Sequence, residues 1–200
     1  MSELLALAEG IAREAGAQLK TAFARVEDLR IGTKSSATDL VSEADLAAER
    51  LIGERLAVAR PDDAVVGEEG SDVAGTTGLR WVVDPLDGTV NFLFGIPQWC
   101  VSVAVEDADG AVAGVVYDPM RDETWAAERD GAATLNGAAV RASRRGDLAT
   151  ALVATGFGYD AEVRRVQAQT IAALPARRTS RTSGRSAATT PACTARTSAA

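Results

Sequence analysis

With 200 residues, 46% of them hydrophobic, and a formal net charge of −7, the chain has enough apolar material for one large globular domain. It holds no histidine and only two cysteines, Cys100 and Cys193, without CxxC spacing; this excludes Ser-His-Asp and Cys-His catalysis and argues against a disulfide framework or a zinc site. All 28 acids fall in residues 1–162, whereas residues 163–200 carry seven arginines and no acid, so the main domain is a poor partner for nucleic acid.

Leu4, Leu5, Ala8, Ile11, Ala12, Ala15 and Leu19 recur at helical spacing and predict an amphipathic helix over residues 3–23. A short extended piece near Val26–Ile31 is expected next. A second helix follows, opened by a capping box of Ser42 and Asp45, facing inward with Ala48, Leu51, Ile52, Leu56 and Ala59, and ended by Pro61. The apolar runs in AVVGEEG and LRWVVDPLDG read as two buried strands that deliver acids at their C-terminal ends, the edge where open α/β sheets bind ligands. From Trp99 to about Val140 the pattern becomes a strand meander, with turns at Asp109-Gly110, Asp130-Gly131 and Asn136-Gly137. One more strand (151–156) and one more helix (160–174) complete the readable part.

Residues 176–200 contain no aliphatic residue larger than alanine, no aromatic and no Asp, Glu or Lys, so they have almost nothing to bury and read as a disordered tail. An out-of-frame or prematurely ended translation of a high-GC gene would produce such a stretch. No stretch approaches the length of a membrane span and the first residues carry acids rather than the basic start of a signal peptide, so a cytoplasmic protein without membrane contact is expected.

The chemistry centres on DPLDGTVNF, Asp84 to Phe92, where two carboxylates stand three residues apart around a proline. Such a pair is costly without a compensating cation. Asp45, Glu68, Glu69, Asp84 and Asp87 all fall at element boundaries. A hard divalent ion, Mg²⁺ above all, takes such oxygen ligands together with water and phosphate oxygens. Pro85 stiffens the turn, while Gly88 and Thr89 open a short helix whose backbone N–H groups can meet an anion.

GTKSSATDLVSEAD, VVGEEG and WVVDPLDGTVNFLFGIP, in this order, resemble the inositol monophosphatase family of Mg²⁺-dependent, lithium-sensitive sugar phosphatases. The likeness continues through VAGVVYDP, ETW, LNG and VATGFGYD and covers roughly residues 1–175. It implies a layered α/β fold, the αβαβα sandwich of these phosphatases with its C-terminal layer incomplete. An N-terminal α+β part would span about residues 1–145, and the start of a C-terminal α/β part about residues 146–175. It also implies two or three Mg²⁺ ions, a small sugar phosphate as substrate and a homodimer.

Residue by residue, the resemblance gives Glu68 one metal and the orientation of the attacking water. Asp84 would bridge two metals, the carbonyl of Leu86 would complete the first and Asp87 would hold the second. Thr89 would share activation of the water, and the Gly88–Thr89 backbone, with Asp87, would hold the substrate. Asp45 would sit beside a further metal, with Lys34 as an electrostatic partner of the substrate.

Plainer readings stand beside these. Asp45 serves equally as a helix cap, Asp39 caps a turn, Lys34 is a surface lysine and Glu69 a solvated neighbour of Glu68. Trp81, Phe92 and Phe94 are expected to pack rather than stack on substrate. Family members also carry a Trp-Asp pair that supplies a metal ligand, but here Trp81, Trp99 and Trp125 precede Val82, Cys100 and Ala126. The second metal is therefore expected to be under-coordinated, and the apolar faces of the 151–155 strand and the 160–174 helix exposed. Nucleotide, fructose-bisphosphate and histidinol-phosphate phosphatases remain rivals on substrate. An inactive homologue acting by association, or through RNA binding by its arginine-rich tail, is the rival of another class.

Overall fold

The computed structural model describes residues 1–28, 31–33, 40–142, 153–158, 160–172 and 180–182; Lys34, Asp39 and most of the tail lie outside them. Helix α1 (Glu3–Phe23) occupies the expected span, with the Ser2 hydroxyl accepting from Leu5 N at 3.2 Å as its cap. Its buried stripe is Leu5, Ala8, Ile11, Ala12, Ala15 and Leu19. The next segment departs from expectation: Val26–Asp28 is a 3-10 turn, and strand β1 covers only Ile31–Thr33. Arg25 N donates to Ala22 O at 2.9 Å, so the tightened last turn of α1 folds Val26 back onto the core instead of letting the chain extend.

β1 pairs antiparallel with β2 (Leu40–Ser42), which runs directly into helix α2 (Glu43–Ala59). The capping box is formed: the Ser42 hydroxyl meets the α2 backbone while the Asp45 carboxylate accepts from Ser42 N at 2.9 Å. α2 ends at Arg60, whose N–H still reaches Leu56 O, and Pro61 cannot continue the ladder.

The remaining framework is a seven-stranded sheet in the order β3 (Ala64–Gly67), β4 (Arg80–Asp87), β5 (Cys100–Asp107), β6 (Gly110–Asp118), β7 (Glu123–Glu128), β8 (Thr134–Leu135), β9 (Ala138–Ala139). Only β3 and β4 are parallel; every later pair is antiparallel, as the meander pattern predicts. At the last turn Asn136 and Gly137 both take positive φ, the geometry of a two-residue hairpin loop.

Cross-strand register lines up two buried rows, Trp81–Val105–Ala113 and Val83–Val103–Val115. Against these rows lie α1, packed on β5, β6 and β7, and α2, packed on β4. The core thus sits between one sheet face and two helices, and the C-terminal ends of β3 and β4 emerge at its edge.

Further on, β10 (Val153–Thr155) pairs in parallel with β11 (Ser180–Thr182), a short strand inside the stretch read as tail. Helix α4 (Ala161–Ala172) is started by Asp160, whose carboxylate accepts from Glu162 N and Val163 N. Its Val163 and Val166 are exposed, in line with the expectation of an uncovered apolar face.

Candidate functional site

β3 and β4 run side by side in register from Ala64–Arg80 to Gly67–Val83, and Glu68 N donates to Val83 O at 3.1 Å. Glu68 thus follows the last paired residue of β3, as Asp84 follows its partner Val83 on β4. Both acids leave the sheet at the same edge.

Asp84 and Asp87 raise a question of parity. Residues three apart on a regular strand face opposite sides of a sheet. Here Asp84 stands opposite Ser102 and Asp87 opposite Cys100, so three steps on β4 are matched by two on β5. The bulge at Pro85-Leu86 absorbs the extra residue, and both carboxylates come to the side shared by Ser102 and Cys100. In keeping with this, the Cys100 thiol, fully buried, lies 3.7 Å from Asp87 Oδ2. The Asp84 carboxylate accepts from Leu86 N at 3.2 Å, the Asx-type bond that an Asp-Pro turn invites.

Gly88 follows in the left-handed region, at φ 99°, and leads into the five-residue helix α3 (Thr89–Leu93). A Cβ at Gly88 would fall 3.0 Å from Gln98 O and 3.2 Å from Trp99 Cα, so both conformation and space require glycine. The floor beneath α3 is aromatic: Phe23, Phe92 and Trp99 meet with ring centroids 5.1–5.6 Å apart.

Thr89 is buried, and its Oγ1 lies 3.0 Å from Asp45 Oδ1 and 3.0 Å from Leu86 O. With one proton, the hydroxyl donates to one of them at a time. Asp45 is also buried and takes the Ser42 N–H and hydroxyl on its other oxygen. Its two readings therefore combine: Asp45 caps α2 and, through the same carboxylate, holds Thr89 beside the bulge.

Asp84 and Asp87 are half-buried, while Glu68 is exposed at the head of the loop that joins β3 to β4. The chain brings Asp45, Leu86 and Thr89 into direct contact and sets Glu68, Asp84 and Asp87 along one edge. Among the described residues, no group of three or more His, Cys, Asp or Glu side chains is gathered closely enough to hold a metal ion as it stands. In chemistry the donor set, carboxylates with a main-chain carbonyl, suits a hard divalent ion.

Two residues fall outside the sequence reading. Phe94 was expected to pack, yet it is 74% exposed, because the chain turns outward after α3 through Phe94 and Gly95. Glu49, which the sequence does not single out, is 4% exposed and accepts from Glu69 N at 2.9 Å and Ser71 N at 3.0 Å. Its position four residues after Asp45 on α2, and so on the same helix face, is the signal that could have found it.

Trp81, Phe92 and Trp99 are buried packing residues. At the opposite end of β3 and β4, burial works to raise the Asp63 carboxyl, but hydrogen bonds from Arg60, Thr77 and Trp81 outweigh it and hold it below the ordinary carboxylate value.

Comparison with known proteins agrees with the fold. The inositol-1-monophosphatase of Rhizobium meliloti is 46% identical over 144 residues, which is 72% of this chain and 54% of that protein. The Nus factor SuhB of Escherichia coli K12 is 36% identical over 163 residues, 81% of this chain and 61% of that one. The chain thus spans between half and two thirds of the length of these curated relatives. Among solved structures, the extragenic suppressor protein suhB of Bartonella henselae superposes with a TM-score of 0.83 at 35% identity, over 92% of this chain and 71% of that chain. The Thermotoga maritima IMPase does so at 0.78 and 28% identity, over 92% and 69%. The profile of the inositol monophosphatase family matches residues 1–199. On these grounds, with a mixed α/β fold as expected and a sheet of seven strands, the chain belongs to the inositol monophosphatase family.

Proposed function

We propose that the chain carries a Mg²⁺-dependent site for hydrolysis of phosphate monoesters, with myo-inositol monophosphate or a related small sugar phosphate as substrate. The observation that supports this reading is the bulge that returns Asp87 to the side of Asp84, at the edge where the Glu68 N–H is bonded to Val83 O. Glu68, Asp84, Asp87 and the Leu86 carbonyl are the metal ligands in this reading. When bound, the ions lower the pKa of a water and stabilise the leaving oxygen.

The chain's own residues do the rest. Glu68 orients the attacking water. Thr89 Oγ1 donates a hydrogen bond to Asp45 Oδ1 and keeps a lone pair for a hydrogen bond from that water, so a proton leaving the water replaces the hydroxyl's own as that one passes to the Asp45 carboxylate. Asp45 is fixed for this task by Ser42. The Gly88 and Thr89 amides hold the phosphate; Lys34, the expected electrostatic partner, lies outside the described residues. No histidine is needed for this chemistry, which fits a chain that has none.

The test is phosphate release from a panel of monoesters with Mg²⁺, with and without Li⁺. Release that requires Mg²⁺, falls with Li⁺ and is lost in Thr89→Ala supports the reading; release indifferent to Mg²⁺ overturns it. A second reading has one observation in its favour: several relatives bear the name Nus factor SuhB. In it the chain acts by association, with its arginine-rich end on RNA. Salt-sensitive RNA binding that disappears on deleting residues 176–200 would favour that role.

A further inference from the structure

Glu49 makes three hydrogen bonds to one loop. Its Oε2 accepts from Glu69 N at 2.9 Å, and its Oε1 accepts from Ser71 N at 3.0 Å and from the Ser71 hydroxyl. The loop is the crossing from β3 to β4, residues 68–79, which no helix stiffens. Glu68 lies between two anchors, its own N–H on Val83 O and the following N–H on Glu49. A buried carboxylate that satisfies its lone pairs on the backbone of one exposed loop adds little to the core. It fixes the course of that loop.

The sequence has also cleared space for this contact. A Cβ at Gly67 would fall 1.8 Å from Glu49 Oε1 and 2.5 Å from Ser71 Oγ, so any larger residue there would push the carboxylate out. Gly67 has no positive φ to explain its presence. Room for Glu49 does explain it.

We propose that Glu49 is a positioning residue: from helix α2 it latches the loop after β3 and so aims Glu68 at the edge where Asp84 and Asp87 stand. This rests on the reading of Glu68 as a metal ligand. Because Asp45 lies one turn earlier on α2, one helix would then set both Thr89 and Glu68.

The experiment compares the native chain with Glu49→Gln, Glu49→Ala, Gly67→Ala and the double variant Gly67→Ala/Glu49→Ala. The readouts are amide hydrogen exchange at Glu69 and Ser71 and calorimetric titration with Mg²⁺. In Glu49→Gln the new NH₂ group cannot accept, so at least one loop bond is lost. Both single Glu49 variants should speed exchange at these amides and weaken Mg²⁺ by about 10–100-fold, as losses around metal ligands do. Gly67→Ala should copy them, and in the Glu49→Ala background it should add little, because the carboxylate is gone and the Ser71 hydroxyl, no longer held by it, can turn away from the new methyl.

Unchanged exchange in Glu49→Ala would overturn the latch. Faster exchange with unchanged Mg²⁺ affinity would overturn the positioning role, since a merely structural contact behaves that way. If the native chain took up no Mg²⁺, the functional reading would fall, and the exchange arm would still decide whether Glu49 holds the loop.

Discussion

The two ends of the β3–β4 pair use the same residue type for opposite purposes. At the N-terminal end, Asp63 is almost fully enclosed and answered within the chain, by the Arg60 guanidinium at 2.7 Å, Trp81 Nε1 at 2.9 Å and the Thr77 hydroxyl at 2.6 Å. At the C-terminal end, Glu68, Asp84 and Asp87 are carried on a loop and a bulge, half-buried or exposed. An acid closed by an arginine and a tryptophan is a stabilising device. Acids carried on an irregular edge are the arrangement that the proposed metal site calls for.

The difference can be broken from either end, and the largest effect is expected at the closed one. Asp63→Ala leaves a buried indole N–H and a guanidinium without their acceptor and should cost about 3 kcal/mol in chemical denaturation. Mg²⁺ binding should be untouched. Thr89→Val, at the open end, should cut turnover by about 100-fold, the range of positioned proton transfer, while shifting the melting temperature far less. Gly88→Ala should lower stability by about 1–3 kcal/mol, since the side chain would have to accept positive φ and a close approach to Trp99.

The pH dependence sharpens the same contrast. Because the folded Asp63 carboxyl is held below its ordinary value, its contribution is present above about pH 4 and is lost as pH falls through the lowered folded value. A stability profile of Asp63→Asn should therefore fall less steeply below about pH 4 than that of the native chain. The smallest effect belongs to the surface: Phe94→Ser should alter stability by less than about 0.5 kcal/mol.

How much of this was legible in the sequence depended on the range of the interaction. α1 and α2 could be read from apolar spacing and from the Ser42–Asp45 box, because both signals lie within one helix. The hairpin loops at Asp109-Gly110 and Asn136-Gly137 could be read because turn geometry is local. The acids at the ends of β3 and β4 were visible as a motif, and their joint role as a metal site remains the proposal. The parity of Asp84 and Asp87 was not visible, because the bulge exists only in the register of β4 against β5.

Glu49 was hidden for the same reason. A carboxylate on a helix ordinarily faces water, and only the return of the loop at Glu69 and Ser71 makes it interior. The 3-10 turn at Val26–Asp28 and the outward swing of Phe94 follow from how a helix end meets the core, which composition does not encode.

The proposed function requires the open end to gather Mg²⁺ through Asp84. Calorimetric titration of the native chain and of Asp84→Asn, both checked for an intact fold, measures it directly. The account predicts Mg²⁺ uptake by the native chain and a loss of about 100-fold or more in affinity with Asp84→Asn. No uptake by the native chain, or equal affinity in the two, would contradict it.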